Sequence, residues 1–151
     1  MRLDGAQLVL DTNILVHLLR GKAPGALIEA TYGVALRKPR AIIPVVVKGE
    51  IRSFAASNHW QAGKMAALDE LLATLPWADI SFEPVLHAYS ELDSYSQSIG
   101  RKMGKNDAWI AAIARVTRAV VLTTDQDFQH LHPDRVQVEY VDPPALLAGK
   151  I

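Results

Sequence analysis

Apolar residues are spaced along the chain in two alternating ways. Continuous apolar runs at residues 8–10, 41–43 and 119–122 are typical of buried strands, and residues 136–140 alternate like a strand at a sheet edge. The segments between these runs carry apolar residues three or four positions apart, which is typical of helices. We predict helices over residues 13–20, 24–36, 44–57, 60–75 and 84–99, a further helix capped by Asn106, and a brief extended piece around Ile80.

This alternation predicts the fold class. Strands that alternate with helices favour a parallel sheet that is covered by helices on both faces and connected by right-handed crossovers. A chain of 151 residues has the usual size of one domain, about 100 to 200 residues. We therefore expect a single α/β domain over residues 1–151.

The composition excludes several classes of protein. With 50% hydrophobic and 21% charged residues, the chain resembles an ordinary globular protein rather than a disordered or fibrous one. Cysteine is absent, which excludes disulfides and thiolate metal sites. No apolar run approaches the roughly 18 residues of a membrane span, and the first residues lack the apolar core of a signal peptide. We expect a cytoplasmic protein without membrane contact.

A polar triplet follows directly after the first predicted strand. The apolar run ends in Asp11, Thr12 and Asn13, and a helical pattern begins at once. Open α/β sheets place their ligands at this carboxyl end of the strands. Because Asp, Thr and Asn are also good helix caps, the triplet taken alone is better explained by capping.

Three further acids stand at comparable places. Asp125 follows the apolar run at 119–122 and is placed to cap a short helix, and Asp107 lies in the first turn of a predicted helix. The helix dipole alone favours an acid in a first turn. Glu50 lies on the apolar face of the helix predicted over residues 44–57, where a carboxylate needs a partner or a metal unless it reaches solvent. The sequence leaves both interpretations of Glu50 open.

The predicted sheet is expected to bring four of these acids to one edge. Asp11, Glu50, Asp107 and Asp125 are all placed to reach the same pocket, because the ends of parallel strands share an edge. Uncompensated carboxylates in one pocket raise one another's pKa values and destabilise the fold, so a positive group is expected among them. Magnesium and manganese favour oxygen ligands. Such ions activate water and stabilise the leaving oxygen in phosphodiester cleavage, so the acids indicate metal-assisted hydrolysis of a phosphate ester.

Positive charge for a nucleic-acid partner must be local. Lysine plus arginine balance aspartate plus glutamate at 16 each, so the whole molecule has no net charge to attract a polyanion. The glycine-containing loop before Asp107 carries Arg101, Lys102 and Lys105. These three side chains would suit the phosphate backbone of such a partner.

Four segments in this order resemble a known family. They are Leu10-Asp-Thr-Asn13, the inward Glu50 after Pro44, Asn106-Asp-Ala-Trp-Ile-Ala-Ala112 and Thr123-Thr-Asp-Gln-Asp-Phe128. Together they cover nearly the whole chain and resemble the PIN-domain ribonucleases, in particular the VapC-like toxins of bacterial toxin-antitoxin pairs. The resemblance implies a three-layer α/β/α sandwich around a central parallel sheet of four to five strands.

The resemblance also implies an activity and partners. It implies a magnesium- or manganese-dependent endoribonuclease that frequently forms homodimers and is inhibited by a cognate antitoxin. Asp11, Glu50, Asp107 and Asp125 match the acidic positions of the family, and we expect Asp11 and Asp107 to be the principal metal ligands. Supporting roles beside them are expected for Thr12, Asn13, Thr123 and the more peripheral acid Asp127.

Two alternatives remain open at the level of sequence. The segment before Glu50 lacks the serine or threonine often found there in the family, which leaves room for a PIN-like module that binds RNA or protein without cleaving. A phosphatase with Asp11 as nucleophile ranks last, because Asn13 stands where the two-aspartate form of that chemistry needs a second acid.

Overall fold

The strands and helices alternate along the chain in the predicted order. The structure is a computed structural model that describes all 151 residues. Its strands are β1 (Leu8–Leu10), β2 (Ile43–Pro44), β3 (Trp77–Ala78), β4 (Val120–Thr123) and β5 (Gln137–Tyr140). Its helices are α1 (Thr12–Arg20), α2 (Ala23–Tyr32), α3 (Val45–Ser57), α4 (Ala62–Thr74), α5 (Glu83–Ser98), α6 (Lys105–Thr117) and α7 (Pro143–Leu147), with a 3-10 helix at Gln126–Leu131.

All strand pairs are parallel. β4 lies between β1 and β5 in a three-stranded sheet, with Leu8 opposite Val120, and β2 pairs with β3. A parallel bridge between Val9 and Ile42 joins the two sets, so the strands follow the order β3-β2-β1-β4-β5. The predicted α/β class with a central parallel sheet of four to five strands is confirmed.

The sheet is buried on both faces, which explains its continuous apolar runs. Every residue of β1 has no exposed surface, and β1 belongs to a core of 35 buried hydrophobic residues. Residues 110–114 of α6 are buried as well. No helix is both long enough and apolar enough to span a bilayer.

Three predicted boundaries are wrong, each for a local reason. The extended piece lies at Trp77–Ala78 rather than around Ile80, because Ile43 N–H donates to the Pro76 carbonyl and fixes the pairing with β2 there. Gly104, not Asn106, caps α6, and Ala108 N–H donates to its carbonyl. α2 ends at Tyr32 because Gly33 has a left-handed backbone with φ of 59°.

Candidate active site

Four predicted acids lie together at the carboxyl edge of the sheet. Asp11 follows β1, Asp125 follows β4, Asp107 is in the first turn of α6, and Glu50 is near the middle of α3. All four line one cleft of about 390 Å³. The remaining lining residues of this cleft, which we call the acidic cleft, are Thr12, Asn13, Val16, His17, Arg20 and Phe54.

Asp11 is buried and held by three hydrogen bonds. Its Oδ1 accepts from the Thr12 backbone N–H at 2.7 Å, and its Oδ2 accepts from Thr123 Oγ1 at 2.6 Å and from Asn13 Nδ2 at 3.1 Å. Burial raises the pKa of Asp11, and the hydrogen bonds from Thr123 and Thr12 oppose that shift. Asp11 is also the N-cap of α1. It therefore caps the helix and lines the cleft with the same carboxylate.

Two polar side chains tie the end of β1 to the end of β4. Asn13 Oδ1 accepts from the Thr124 backbone N–H at 3.1 Å while its amide nitrogen donates to Asp11. Thr123 Oγ1 accepts from the Asp125 backbone N–H at 2.9 Å while it donates to Asp11. Thr123 has no exposed surface. These contacts fix the turns that carry Asp11 and Asp125 relative to each other.

Glu50 reaches from α3 to the start of α1. Its Oε1 accepts a hydrogen bond from Thr12 Oγ1 at 2.9 Å, and the residue is half-buried. It forms no ion pair. Of the two interpretations that the sequence left open, the structure supports the one in which the carboxylate faces the other acids. The start of α3 has no side-chain cap, in keeping with the missing hydroxyl residue.

The carboxylates lack a positive partner within the protein. The pKa of Asp107 is raised to about 7, first by burial and then by the charges of Asp11, Asp125, Glu50 and Asp127. None of these five acids is in an ion pair; the ion pairs of the chain are Arg2–Glu139, His87–Glu91 and Arg115–Glu91. A cluster of this kind is stabilised by an added cation.

The donor atoms suit a hard divalent cation. Carboxylate oxygens of Asp107, Asp125 and Asp127 lie within 4.8 Å of one another. Oxygen-only donors of this type favour magnesium or manganese over softer metals. Asp127, predicted as the more peripheral acid, belongs to this set although its side chain is exposed.

The three basic residues of the loop divide between two neighbouring pockets. Arg101 and Lys102 line a pocket of about 700 Å³ that has no apolar lining residue and includes Asp127. Lys105 lines a smaller pocket of about 340 Å³ together with Glu50 and Asp107. Positive charge therefore borders the acids on the side of the loop.

Four residues of the acidic cleft, Val16, His17, Arg20 and Phe54, were not among the predicted site residues. His17 and Arg20 lie four and seven positions after Asn13, and Phe54 lies four positions after Glu50. Residues at these spacings share one face of a helix, so the spacing was the signal that could have found them. Burial, followed by the charge of Arg20, lowers the pKa of His17.

A family model matches most of the chain. The model of the PIN domain matches residues 8–132, a range that holds all four acids of the cleft. Ribonuclease VapC5 of Mycobacterium tuberculosis is 29% identical over 128 residues, which are 82% of this chain and 86% of the relative.

Solved structures have the same fold. A chain of the VapBC2 complex of Rickettsia felis bound to promoter DNA matches with a TM-score of 0.74 at 24% identity, covering 90% of this chain and 99% of that one. VapC20 of M. tuberculosis, described as a sarcin-ricin loop cleaving toxin, matches with a TM-score of 0.64 at 17% identity, covering 86% of this chain and 98% of that one.

Proposed function

The chain belongs to the PIN-domain family, and on that premise we propose that it is a metal-dependent endoribonuclease, the toxin of a toxin-antitoxin pair, acting as one domain over residues 1–151. The observation that carries the proposal is the convergence of four carboxylates in one cleft without a protein cation paired to them. The similarity to Ribonuclease VapC5 supports RNA as the substrate.

Magnesium or manganese would be held by Asp107, Asp125 and Asp127, whose carboxylate oxygens lie within 4.8 Å of one another, together with Asp11 and Glu50, which line the same cleft as Asp107 and Asp125. A bound divalent ion lowers the pKa of water and stabilises the charge of the leaving oxygen in phosphodiester hydrolysis. The protein contributes position, because Thr123 and Asn13 fix the orientation of Asp11, and Thr12 fixes that of Glu50. Fixed carboxylates need no reorganisation when the substrate binds.

The side chains of Arg101, Lys102 and Lys105 would bind the phosphates of the RNA strand. Their pockets adjoin the acids through Asp127 and Asp107. Contacts to the phosphates position the strand but do not read its sequence. The choice of cleavage site then belongs to other contacts of the RNA.

The test is RNA cleavage by the purified protein with magnesium or manganese. Asp11→Asn is expected to lower the cleavage rate by more than about 100-fold, since even the outer partners of metal ligands contribute about 10- to 100-fold. Asp69→Asn, on the exposed face of α4, is the matched control and should cleave like wild type. Equal cleavage by Asp11→Asn would refute the assignment, and RNA binding without cleavage by wild type would support the inactive binding module instead.

A second, mainly apolar groove suits the proposed antitoxin. It is formed by α1, α2 and α4, has a volume of about 470 Å³, and is lined mainly by apolar side chains that include Leu18, Leu19 and Leu71, with Glu29 and Glu70 among them. Such a groove suits an apolar segment that carries basic residues. The similar solved structures include toxin-antitoxin complexes, which supports an antitoxin partner for this chain. A short neighbouring gene that encodes a DNA-binding protein would agree with an antitoxin partner.

We also propose, from the resemblance to the family, that the chain forms a homodimer.

A further inference from the structure

Arg20 is an unusual residue in the acidic cleft. It is the one lysine or arginine among the lining residues, and it shares the cleft with four carboxylates. It forms an ion pair with none of them. An exposed guanidinium that lies beside acids without pairing with them remains available to an external anion.

An aromatic contact holds this guanidinium in place. The Arg20 guanidinium carbon lies 5.7 Å from the centroid of the Phe54 ring, within the range of a cation–π contact. Phe54 is itself packed edge-on against Trp60, with ring centroids 5.9 Å apart at 81°. Because α1 carries Arg20 and α3 carries Phe54, the packing of these helices sets the position of the charge.

The distribution of charge around the cleft indicates a role for Arg20 in binding a phosphate. The basic residues of the loop line pockets that include Asp127, Asp107 and Glu50, whereas Arg20 comes from α1 and lines the acidic cleft itself. An RNA strand that crosses the acids carries a phosphate on each side of the one being cleaved. A flanking phosphate that lies near Arg20 is repelled by the carboxylates of the cleft and attracted by the guanidinium.

We propose that Arg20, held over the Phe54 ring, binds the RNA backbone phosphate next to the scissile one and so positions the strand across the acidic cleft. This inference rests on the proposed ribonuclease function. Arginine suits the task because its planar guanidinium binds a phosphate through two parallel hydrogen bonds. Arg20 is thus a substrate-binding residue in the cleft itself, which none of the three basic loop residues lines.

The first test measures binding of a fluorescein-labelled single-stranded RNA of mixed sequence by anisotropy at several salt concentrations, with calcium as the divalent ion. Loss of one phosphate contact lowers the slope of log affinity against log salt by about 0.7 for a single strand. Arg20→Ala should show this decrease, and Arg20→Lys should retain the wild-type slope. Arg40→Ala, which removes an exposed arginine just before β2, at the opposite edge of the sheet, is the matched control and should also retain it.

The second test uses cleavage of an RNA that wild type cleaves. Arg20→Ala should raise KM by roughly tenfold, which corresponds to about 1.4 kcal/mol of binding free energy, with kcat nearly unchanged. Phe54→Leu keeps the apolar volume but removes the ring, so it should raise KM while retaining the salt slope. Melting temperatures of all variants identify any that fail to fold.

The outcomes separate this inference from the proposed function. If wild type cleaves no RNA, the ribonuclease proposal fails. If wild type cleaves and Arg20→Ala keeps both its KM and its salt slope, the inference about Arg20 is overturned. The inference is also overturned if Arg20→Ala lowers kcat without raising KM, or if it weakens the binding of a protein partner but not of RNA.

Discussion

Thr123 has no exposed surface, and its hydroxyl is used twice. It donates to Asp11 Oδ2 and accepts from the backbone N–H of Asp125, so one side chain determines the relative position of two acids. A buried hydroxyl with both roles filled stabilises the fold and orients the carboxylates at the same time. At the scale of single residues, neutral neighbours such as Thr123 set the orientation of the acids in the site.

Thr123→Val keeps the shape of the side chain and removes both hydrogen bonds. We expect the free energy of unfolding to fall by about 1 to 3 kcal/mol, because a buried carboxylate oxygen and an N–H group each lose a partner. The pKa of Asp11 should rise further, since the hydrogen bond from Thr123 lowers it. Urea unfolding measures the first effect and NMR titration the second. Thr123→Ser, which retains the hydroxyl, is the control; an equal loss in both variants would contradict this role.

Asp107 makes the stability of the metal-free protein depend on pH. Its pKa is about 7 in the folded protein and 3.8 for the free group, so the folded state binds the proton more tightly. Between these two values, stability should therefore fall as the pH rises. Urea unfolding in EDTA across this range checks the direction. Asp107→Asn removes this titration, so its free energy of unfolding should fall less as the pH rises. The pKa of Asp11 is also raised, so Asp11 accounts for part of the fall that remains in this variant.

At the scale of elements, the contact between α1 and α2 shows how closely the helices are packed. Gly25 is buried in α2, and a Cβ atom there would overlap the backbone carbonyl of His17 and approach Cα of Leu18 in α1. α1 carries Asn13, His17 and Arg20 into the cleft. The absence of a side chain at Gly25 therefore helps to set the position of one wall of the site.

Gly25→Ala is expected to lower the free energy of unfolding by about 1 to 3 kcal/mol, because backbone atoms cannot move aside as a flexible side chain does. Gly49→Ala is the matched control, as Gly49 lies within α3 and a Cβ atom added there would have open space around it. It should raise stability by about 0.5 to 1 kcal/mol through its helix propensity. Urea unfolding of both variants gives the comparison. A Gly25→Ala protein as stable as wild type would disprove the tight contact.

The elements that the sequence predicts well are those whose signals are local. The order of strands and helices and the capping of the 3-10 helix by Asp125 depend on neighbouring residues only. The strand at Trp77–Ala78 has two residues and depends on pairing with β2, which no local pattern shows. Likewise, helical spacing places Arg20 and Phe54 on the cleft faces of their helices, but the contact between the two side chains depends on how α1 packs against α3, which lies far along the chain.

At the scale of the whole molecule, charge is balanced overall and unbalanced locally. The chain has 16 basic and 16 acidic residues, yet five acids gather at one sheet edge without an ion pair. Their mutual repulsion opposes folding in the absence of a cation. The acids were predictable from local signals, because Asp11 and Asp125 follow strands, Asp107 lies in a first helical turn and Glu50 lies on the apolar face of a helix. Their unpaired state was not predictable, because it depends on where every lysine and arginine lies in the folded chain.

Manganese is therefore expected to stabilise the whole protein against unfolding. At a free concentration 100 times the dissociation constant, binding to the folded state alone raises the free energy of unfolding by about 2.7 kcal/mol. Thermal unfolding with increasing manganese measures the effect. Asp69→Asn should respond like wild type and Asp107→Asn should respond much less. An unchanged melting temperature in wild type would contradict a metal site among these acids.

The parallel sheet also determines when during synthesis the cleft forms. Asp11 emerges from the ribosome early, but its hydrogen-bond partner Thr123 follows 112 positions later, and β4 needs β5, which ends at Tyr140, as its outer neighbour. A nascent chain consequently has no assembled cleft until β4 and the acids that follow it have been translated. If the proposed function holds, the chain gains its cleavage site only at that stage of synthesis.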